Sequence, residues 1–270
     1  MGIITGNTQI FGILADPIHH VKTPQRINQL FTERQIDGVM VPMHVKTGEL
    51  AQAVQGLRAV RNLSGFVVTV PHKTAVVALC DELTPEALRT EAVNVVHCTT
   101  DGRLIGGMLD GEGFIVGLRS RGLDPVGRSV YLAGAGGAAS AIAFAMARAG
   151  VSRLTIANRT ADKAQQLVDR IAHHYPLLSL AVGSSDPIGH DLVVNATSLG
   201  LRPRDALPLD ADRLEPEQIV AEIIMQPEET PLLLTAKSKG CRIHYGAPML
   251  ASQIELMATF MTTGKHHEYV

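Results

Sequence analysis

Short apolar runs alternate with longer stretches in which apolar residues recur every three or four positions, from residue 10 almost to the end of the chain. The short runs predict strands and the three-to-four spacing predicts amphipathic helices. Ile10–Leu14, Val39–Val45 and Gly65–Val70 read as strands. Pro24–Glu33 and Gly48–Val60 read as the helices between them, the second on the spacing of Leu50, Val54 and Leu57. Ala92–Cys98 and Arg103–Ile105 read as strands around an Asp101-Gly102 hairpin turn. A helix over Gly111–Gly122 leads into a second series: strand Val130–Ala133, an Ala-rich helix, strand Arg153–Ala157 and helix Ala161–Ala172. Strands at Leu178–Val182, Leu192–Asn195 and Ile219–Ile224, a polar loop at Gly200–Pro208 and a last helix over Pro248–Thr263 complete it. Strands alternating with helices specify an α/β fold with parallel sheets. Two α/β units joined near residue 110 imply a cleft, where the reacting groups of such folds sit.

The second series opens with a specific pattern. Its first strand meets Gly134-Ala135-Gly136-Gly137-Ala138-Ala139, and the helix follows at once. Strand, glycine turn, helix, strand is the order a dinucleotide site needs. Gly134 permits the tight turn, Gly136 lets the backbone approach a pyrophosphate, and Ala139 keeps the helix close to the strand. The helix N-terminus offers unpaired N–H groups and a positive dipole end to phosphates. After the second strand come Asn158, Arg159 and Thr160, with no acid to bond a ribose 2′-hydroxyl. A guanidinium suits a 2′-phosphate, so the cofactor predicted is NADP rather than NAD.

Composition narrows the remaining classes. The 270 residues are 46% hydrophobic, enough for two cores. A net charge of −2 gives no basic field for nucleic acid and no polybasic membrane tail. Cys80, Cys98 and Cys241 form no CxxC pair; they are expected to be buried, in a reducing compartment. No secretory signal pattern is visible, and Gly6 stands where myristoylation wants Ser or Thr, so a cytoplasmic protein is expected. The eleven histidines give no H-x-x-x-H spacing, and His19-His20 and His173-His174 are adjacent, so no metal is expected. His20 reads as a packing residue, and the His266-His267 pair as part of a solvated tail.

A dehydrogenase needs a group to take or give the alcohol proton. Lys73, after the strand ending Val68-Thr69-Val70-Pro71-His72, and Asp110, at the junction of the two series, are the candidates. A lysine positioned by a carboxylate serves as proton donor and acceptor. His72 stands beside Lys73, but alternation along an extended chain points its side chain to the opposite face.

These residues lie within a longer series of matches, by which the chain resembles the shikimate dehydrogenase family from end to end. The matches are Asp16-Pro17-Ile18-His19-His20, Val68 to Lys73, Glu91-Ala92-Val93-Asn94, Asp110-Gly111, Gly134 to Ala139, Asn158-Arg159-Thr160, Asn195 to Gly200, Pro227 with Glu229 to Leu233, and Gly246 with Met249-Leu250 and Gln253. The resemblance implies an N-terminal α/β substrate domain, residues 1–109 with 245–270, and a Rossmann-type NADP-binding domain, residues 110–244, flanking an interdomain cleft. It implies Lys73 and Asp110 as the catalytic residues, Lys73 as the acid–base or as a cation polarising the ketone, and Asp110 orienting it and bonding a substrate hydroxyl. Val21, Thr23, Thr69, Asn94, Met225 and Gln253 would bind a small cyclic hydroxy acid. Gly134, Ala135, Gly136, Gly137, Ala138, Asn158, Arg159, Thr160, Thr197, Ile223 and Gly246 would bind NADP. A monomer or homodimer is expected.

Several positions depart from the family pattern. A Ser-x-Ser pair that holds the substrate carboxylate is replaced by Val21 and Thr23; an Asn-Thr pair before Asp110 is Met108-Leu109; a Tyr is Met225; and a Gly is Pro248. Losing one bond to a charged group costs about 1–3 kcal/mol. The departures bear on the substrate more than on the reaction, and leave quinate or an amino-substituted ring acid as alternatives to shikimate. A non-catalytic NADP-binding sensor is the alternative of another class, against which Lys73, Asp110 and Asn94 argue.

Overall fold

The computed structural model describes residues 3–19 and 21–265. His20, the His266-His267 pair and the Met1-Gly2 start lie outside the described residues. The chain divides into two compact units: one runs to Leu109 and takes back the chain from Gln253, and the other is Asp110–Ser252.

The first unit contains β1 (Gln9–Ala15), α1 (Thr23–Glu33), β2 (Gly38–His44), α2 (Leu50–Leu57), β3 (Leu63–Val68), β4 (Glu82–Leu83), α3 (Pro85–Thr90), β5 (Val95–Cys98) and β6 (Leu104–Gly107). Its six-stranded sheet has the order β2-β1-β3-β5-β6-β4. Strands β1, β2 and β3 run parallel, whereas β5 is antiparallel to both β3 and β6. Pro42 interrupts β2 without harm because β2 lies at the edge, where a missing N–H breaks no ladder. The β5–β6 hairpin turns over four residues, with Gly102 at φ 88° and its N–H on the Thr99 carbonyl.

The second unit contains α4 (Asp110–Arg119), β7 (Ser129–Ala133), α5 (Gly137–Arg148), β8 (Arg153–Ala157), α6 (Ala161–His174), β9 (Ser179–Val182), β10 (Leu192–Asn195), β11 (Ile219–Glu222), α7 (Pro231–Ser238) and β12 (Arg242–His244). Its sheet is parallel throughout, in the order β12-β11-β10-β7-β8-β9. The chain starts in the middle, winds to one edge, then returns and winds to the other, which is the doubly wound dinucleotide-binding order. The last helix, α8 (Ala247–Thr263), crosses the division between the units at Ser252–Gln253.

Small residues set the close approaches within each unit. A Cβ on Gly111 of α4 would stand 2.2 Å from the Ala141 carbonyl oxygen of α5, so these helices meet backbone to backbone. In the first unit, Gly107 leaves room for the Phe260 ring and Gly65 for Met261, both on the far half of α8. No helix among the described residues is long and apolar enough to cross a membrane.

Some sequence expectations change: the strand predicted from Ala92 starts at Val95, and the one predicted to Ile224 stops at Glu222. The predicted strand to Val70 stops at Val68, because Pro71 has no N–H to continue a ladder and the His72 N–H closes a turn on the Thr69 carbonyl at 2.9 Å. Cys80 and Cys98 are half-buried rather than buried, while Cys241 is buried; all three are free thiols. Burial pushes the Cys80 and Cys98 thiols up to about 11 and about 12, far from reactive thiolates.

Candidate active site

In the first unit, the carboxyl ends of the parallel strands gather the predicted residues. Beyond Leu14 of β1 and its partner Val68 of β3, the Thr69 N–H bonds the Leu14 carbonyl at 3.0 Å and the Asp16 N–H bonds the Val70 carbonyl at 3.1 Å. Thr69 therefore starts a turn laid along the sheet edge. Lys73 ends it, and its carbonyl accepts the Val93 N–H at 2.8 Å. That bond brings Lys73 beside the segment entering β5. Asn94 is buried there, bonded through its N–H to the Gly107 carbonyl at 2.9 Å, and its Oδ1 accepts the Leu109 N–H at 2.9 Å. Thr69, Lys73 and Asn94 thus share one sheet edge.

His72 is fully buried within this turn. Its Nε2 meets the Val45 carbonyl at 2.7 Å, while Nδ1 has no partner. A ring whose only partner is a carbonyl bonds it by carrying the proton on Nε2, so His72 fastens the turn to the end of β2. The segment leaving β1 carries Val21, half-buried, and Thr23, buried at the start of α1. The His44 Nε2 and Asp16 Oδ1 lie 2.9 Å apart and tie that segment to β2. Gln253 is buried on α8. Leu109 is also buried, and its N–H supports Asn94.

In the second unit, one register row crosses four strands. Ala157 of β8 pairs with Ala133 of β7, Ala133 with Asn195 of β10, and Asn195 with Glu222 of β11. The residue or two after each row member are predicted site residues: Asn158 and Arg159, Gly134, Thr197 and Ile223. Gly134 has φ 120°, and a Cβ there would stand 3.0 Å from the Ala196 carbonyl oxygen and 3.3 Å from the Ala139 side chain. The turn after β7 therefore closes on the β10 loop only with glycine. A Cβ on Gly136 would meet nothing within 4 Å, so open space faces this residue, which caps α5 without any side-chain hydrogen bond. These bare N–H groups, with half-buried Ala135, Gly137 and Ala138 around them, fit a pyrophosphate.

Beyond β8, the Asn158 side-chain amide bonds the Thr160 carbonyl at 2.9 Å and shapes the entry to α6. Thr160 caps that helix without using its hydroxyl, and Arg159 is exposed, with no ion pair among the described residues. The cluster fits a 2′-phosphate. Thr197 is held by Asn195, whose Oδ1 accepts its N–H at 3.0 Å and its hydroxyl at 2.7 Å. Gly246 abuts the Ile223–Ile224 backbone, and Met225 just beyond is 41% exposed. Asp110 is buried in the first turn of α4. Its neighbour Glu112 pairs with Arg148 of α5.

Nothing in the Ile219–Ile224 apolar pattern marks Glu222, yet it is a wholly buried carboxylate with four donors. The one available signal is an acid at the end of a run that must be buried. Among the described residues, no three His, Cys, Asp or Glu stand together as metal ligands.

Comparison with known proteins agrees with this geometry. Residues 13–96 match the shikimate dehydrogenase substrate-binding domain, and residues 121–199 match shikimate/quinate 5-dehydrogenase. A Rubrobacter xylanophilus protein named shikimate dehydrogenase (NADP(+)) is 40% identical over 257 residues, 93% of this chain and 89% of that protein. The structure of Thermus thermophilus shikimate 5-dehydrogenase in complex with NADP(H) and shikimate is similar at a TM-score of 0.86 and 31% identity, covering 97% of this chain and 95% of that one. A 5-ketofructose reductase of Gluconobacter sp. strain CHM43 is similar at 0.83 and 33% identity, with the same coverage. Identity of this order over nearly the whole of both chains, with both halves matched in order, is decisive: the chain belongs to the shikimate dehydrogenase family.

Proposed function

We propose that this protein is an NADP-dependent shikimate dehydrogenase that interconverts 3-dehydroshikimate and shikimate. The observation that carries the reading is the intact pair of sheet edges, Thr69–Lys73–Asn94 in one unit and the Gly134 turn with Arg159 in the other, in a chain 40% identical to a named NADP(+) enzyme. The Gly134–Ala138 turn would hold the pyrophosphate of NADP, Asn158, Arg159 and Thr160 its 2′-phosphate, and Thr197, Ile223 and Gly246 its other half. Bound there, NADP supplies the hydride acceptor for oxidation and the donor for reduction.

The chain's own residues manage the proton and the geometry. In oxidation, Lys73 takes the hydroxyl proton as the carbon–oxygen double bond forms; in reduction, Lys73 returns it to the ketone oxygen. Asp110 orients Lys73 and accepts a hydrogen bond from a substrate hydroxyl. Thr69, Asn94 and Gln253 bind the remaining hydroxyls, and Thr23 the carboxylate. The free cysteines suit work in the cytoplasm, as a monomer or homodimer.

Initial rates of NADP⁺ and NAD⁺ reduction with shikimate test this reading. Shikimate oxidation with NADP⁺ is expected, falling by roughly a hundredfold or more in Lys73→Ala, the usual scale for a lost acid–base group. A variant within a few-fold of the wild type would remove Lys73 from the mechanism.

A second reading keeps the reaction and changes the substrate. It is favoured by half-buried Val21 and exposed Met225, neither of which can bond a carboxylate, and by the similarity to a protein named for reducing 5-ketofructose. An uncharged polyhydroxy ketone would then be turned over faster than the shikimate pair, with quinate and an amino-substituted ring acid, which keep the carboxylate, as the acids to compare with it. The same assay across those compounds separates the two readings by kcat/KM.

A further inference from the structure

Glu222 ends β11 inside the protein, where an apolar side chain would avoid the cost of burying a charge. Its surroundings show what the carboxylate does. Oε1 accepts the N–H groups of Ile223 at 2.9 Å and Ile224 at 3.1 Å. Oε2 accepts the Asn195 side-chain amide at 2.9 Å and the Thr230 hydroxyl at 3.0 Å. Each partner anchors a segment. Asn195 holds Thr197 through its Oδ1 and the Leu199 carbonyl through its Nδ2. Thr230 caps α7 by accepting the Leu233 N–H at 3.3 Å. Ile223 and Ile224 begin the segment that leads to Met225.

Burial pushes the Glu222 carboxyl above its ordinary range, and its four donors pull the other way. Those four donors satisfy a carboxylate and leave a carboxylic proton without an evident acceptor, so the geometry is built for the ionised form. The Ile223–Ile224 backbone is confined on its carbonyl side too. A Cβ on Gly246 would stand 2.4 Å from the Ile224 carbonyl oxygen and 2.9 Å from the Ile223 carbonyl carbon. A carboxylate on one side and a bare glycine on the other fix the height of this backbone above the sheet.

That position matters for a bound dinucleotide. Arg159 follows β8, on one side of the Gly134 turn, whereas Thr197 and Ile223 follow β10 and β11 on the other. With the 2′-phosphate on the β8 side, the residues after β10 and β11 would hold the other half of the cofactor. We propose that Glu222 is a positioning residue for hydride transfer, a single buried anion that locks Thr197, Ile223 and the start of the Met225 segment in one register. The inference rests on the NADP dehydrogenase reading above.

Glu222→Gln tests it. The variant keeps the shape but puts an NH₂ where one oxygen accepts, so two donors lose their acceptor. In the ligand-free protein, the amides of Thr197, Ile223 and Ile224 are expected to exchange hydrogen at least about tenfold faster, with β7 and β8 unchanged. NADPH fluorescence titration is expected to give the same number of sites and a Kd within about threefold, since the Gly134 turn and Arg159 are untouched. The kcat per titrated site is expected to fall about tenfold or more, because small misplacements of reacting groups are costly. Thr230→Val, which removes one donor and leaves the carboxylate, is expected to lose between about twofold and tenfold in kcat per site; it carries the same measurements if Glu222→Gln does not fold.

Unchanged exchange at the three amides overturns the proposal, as does a kcat per site within twofold of the wild type, or a loss accounted for by missing sites. If the wild type oxidises no shikimate, the substrate reading fails instead. Exchange and NADPH titration then decide for Glu222 on their own.

Discussion

At the scale of single residues, His244 provides a prediction independent of any substrate. Its ring is 2% exposed, lies edge-on to Phe114 at 6.2 Å, and its Nε2 has no hydrogen-bond partner. Burial pushes its pKa down from 6.5 to about 4, with Arg121 and Arg242 adding to the effect. The folded pKa is thus below the unfolded one. Between those values the unfolded chain binds a proton that the native chain refuses. The stability from a neutral ring is complete above pH 6.5 and is lost as pH falls toward 4. From pH 7 to 5 the loss is about 2 kcal/mol. Denaturant unfolding at both pH values should show this loss in the wild type and its disappearance in His244→Phe, which keeps a ring without a titrating nitrogen. Equal losses in the two proteins would clear His244 of any part in acid instability. Arg159 gives a second test. It is exposed and has no ion pair among the described residues, so Arg159→Ser removes little from the fold. A lost charge-assisted contact of about 1.5–3 kcal/mol corresponds to a KM for NADP⁺ raised roughly tenfold to a hundredfold. The KM for NAD⁺ should move less than about threefold; equal changes for both cofactors would refute a 2′-phosphate role. The place of Arg159, just after the strand that follows a glycine turn and helix, is legible in the sequence. His244 and Glu222 are not, because their properties come from what packs over them.

Among the elements, legibility follows length and periodicity. The β7–α5–β8 series is plain because its strands are mostly apolar and its helix has twelve residues. The helices α3 and α7 are easily overlooked, with six and eight residues and no long apolar stripe. Both nevertheless announce themselves at their first residues, Thr84-Pro85 and Thr230-Pro231. In each, the Thr hydroxyl accepts the N–H three residues on, and Pro occupies a position that needs no donor. The three-residue strand β12 is invisible locally, since it exists only because β11 offers it a ladder. Helix α4 shows how one residue sets an element's place. With the Ala141 carbonyl oxygen 2.2 Å from where a Gly111 Cβ would sit, Gly111→Ala must push α4 off α5. Overpacking of this kind costs about 1–3 kcal/mol. The midpoint of denaturant unfolding should fall accordingly, while Gly136→Ala, which meets open space, should leave it nearly unchanged. A Gly111→Ala protein as stable as the wild type would mean the two helices can slide apart without cost.

For the molecule as a whole, the alternation of strands and helices announces two α/β units, but not how α8 divides between them. Gln253 onward belongs with the first unit because Phe260 and Met261 need the bare surfaces of Gly107 and Gly65, more than 150 residues earlier. No local pattern carries a partnership of that range. On the proposed function the two sheets take separate ligands, and that can be tested directly. The turn at Gly134, the β10 loop at Thr197 and the α6 entry at Arg159 all belong to Asp110–Ser252, whereas Thr69, Lys73 and Asn94 belong to the other unit. A ligand that binds only the folded state stabilises it by about 2.7 kcal/mol at a hundred times its Kd. NADP⁺ alone should therefore slow hydrogen exchange most strongly at residues 131–140, 158–161 and 195–199. Shikimate added afterwards should bring the slowing to residues 69–73 and 93–95. This order follows from chemistry rather than from size: the first set presents bare N–H groups and a guanidinium, which recognise phosphate, and the second presents a hydroxyl, a lysine amino group and an amide, which recognise a polyhydroxylated acid. Protection by NADP⁺ alone centred on residues 69–73 would place the cofactor on the wrong sheet and overturn the assignment of both edges.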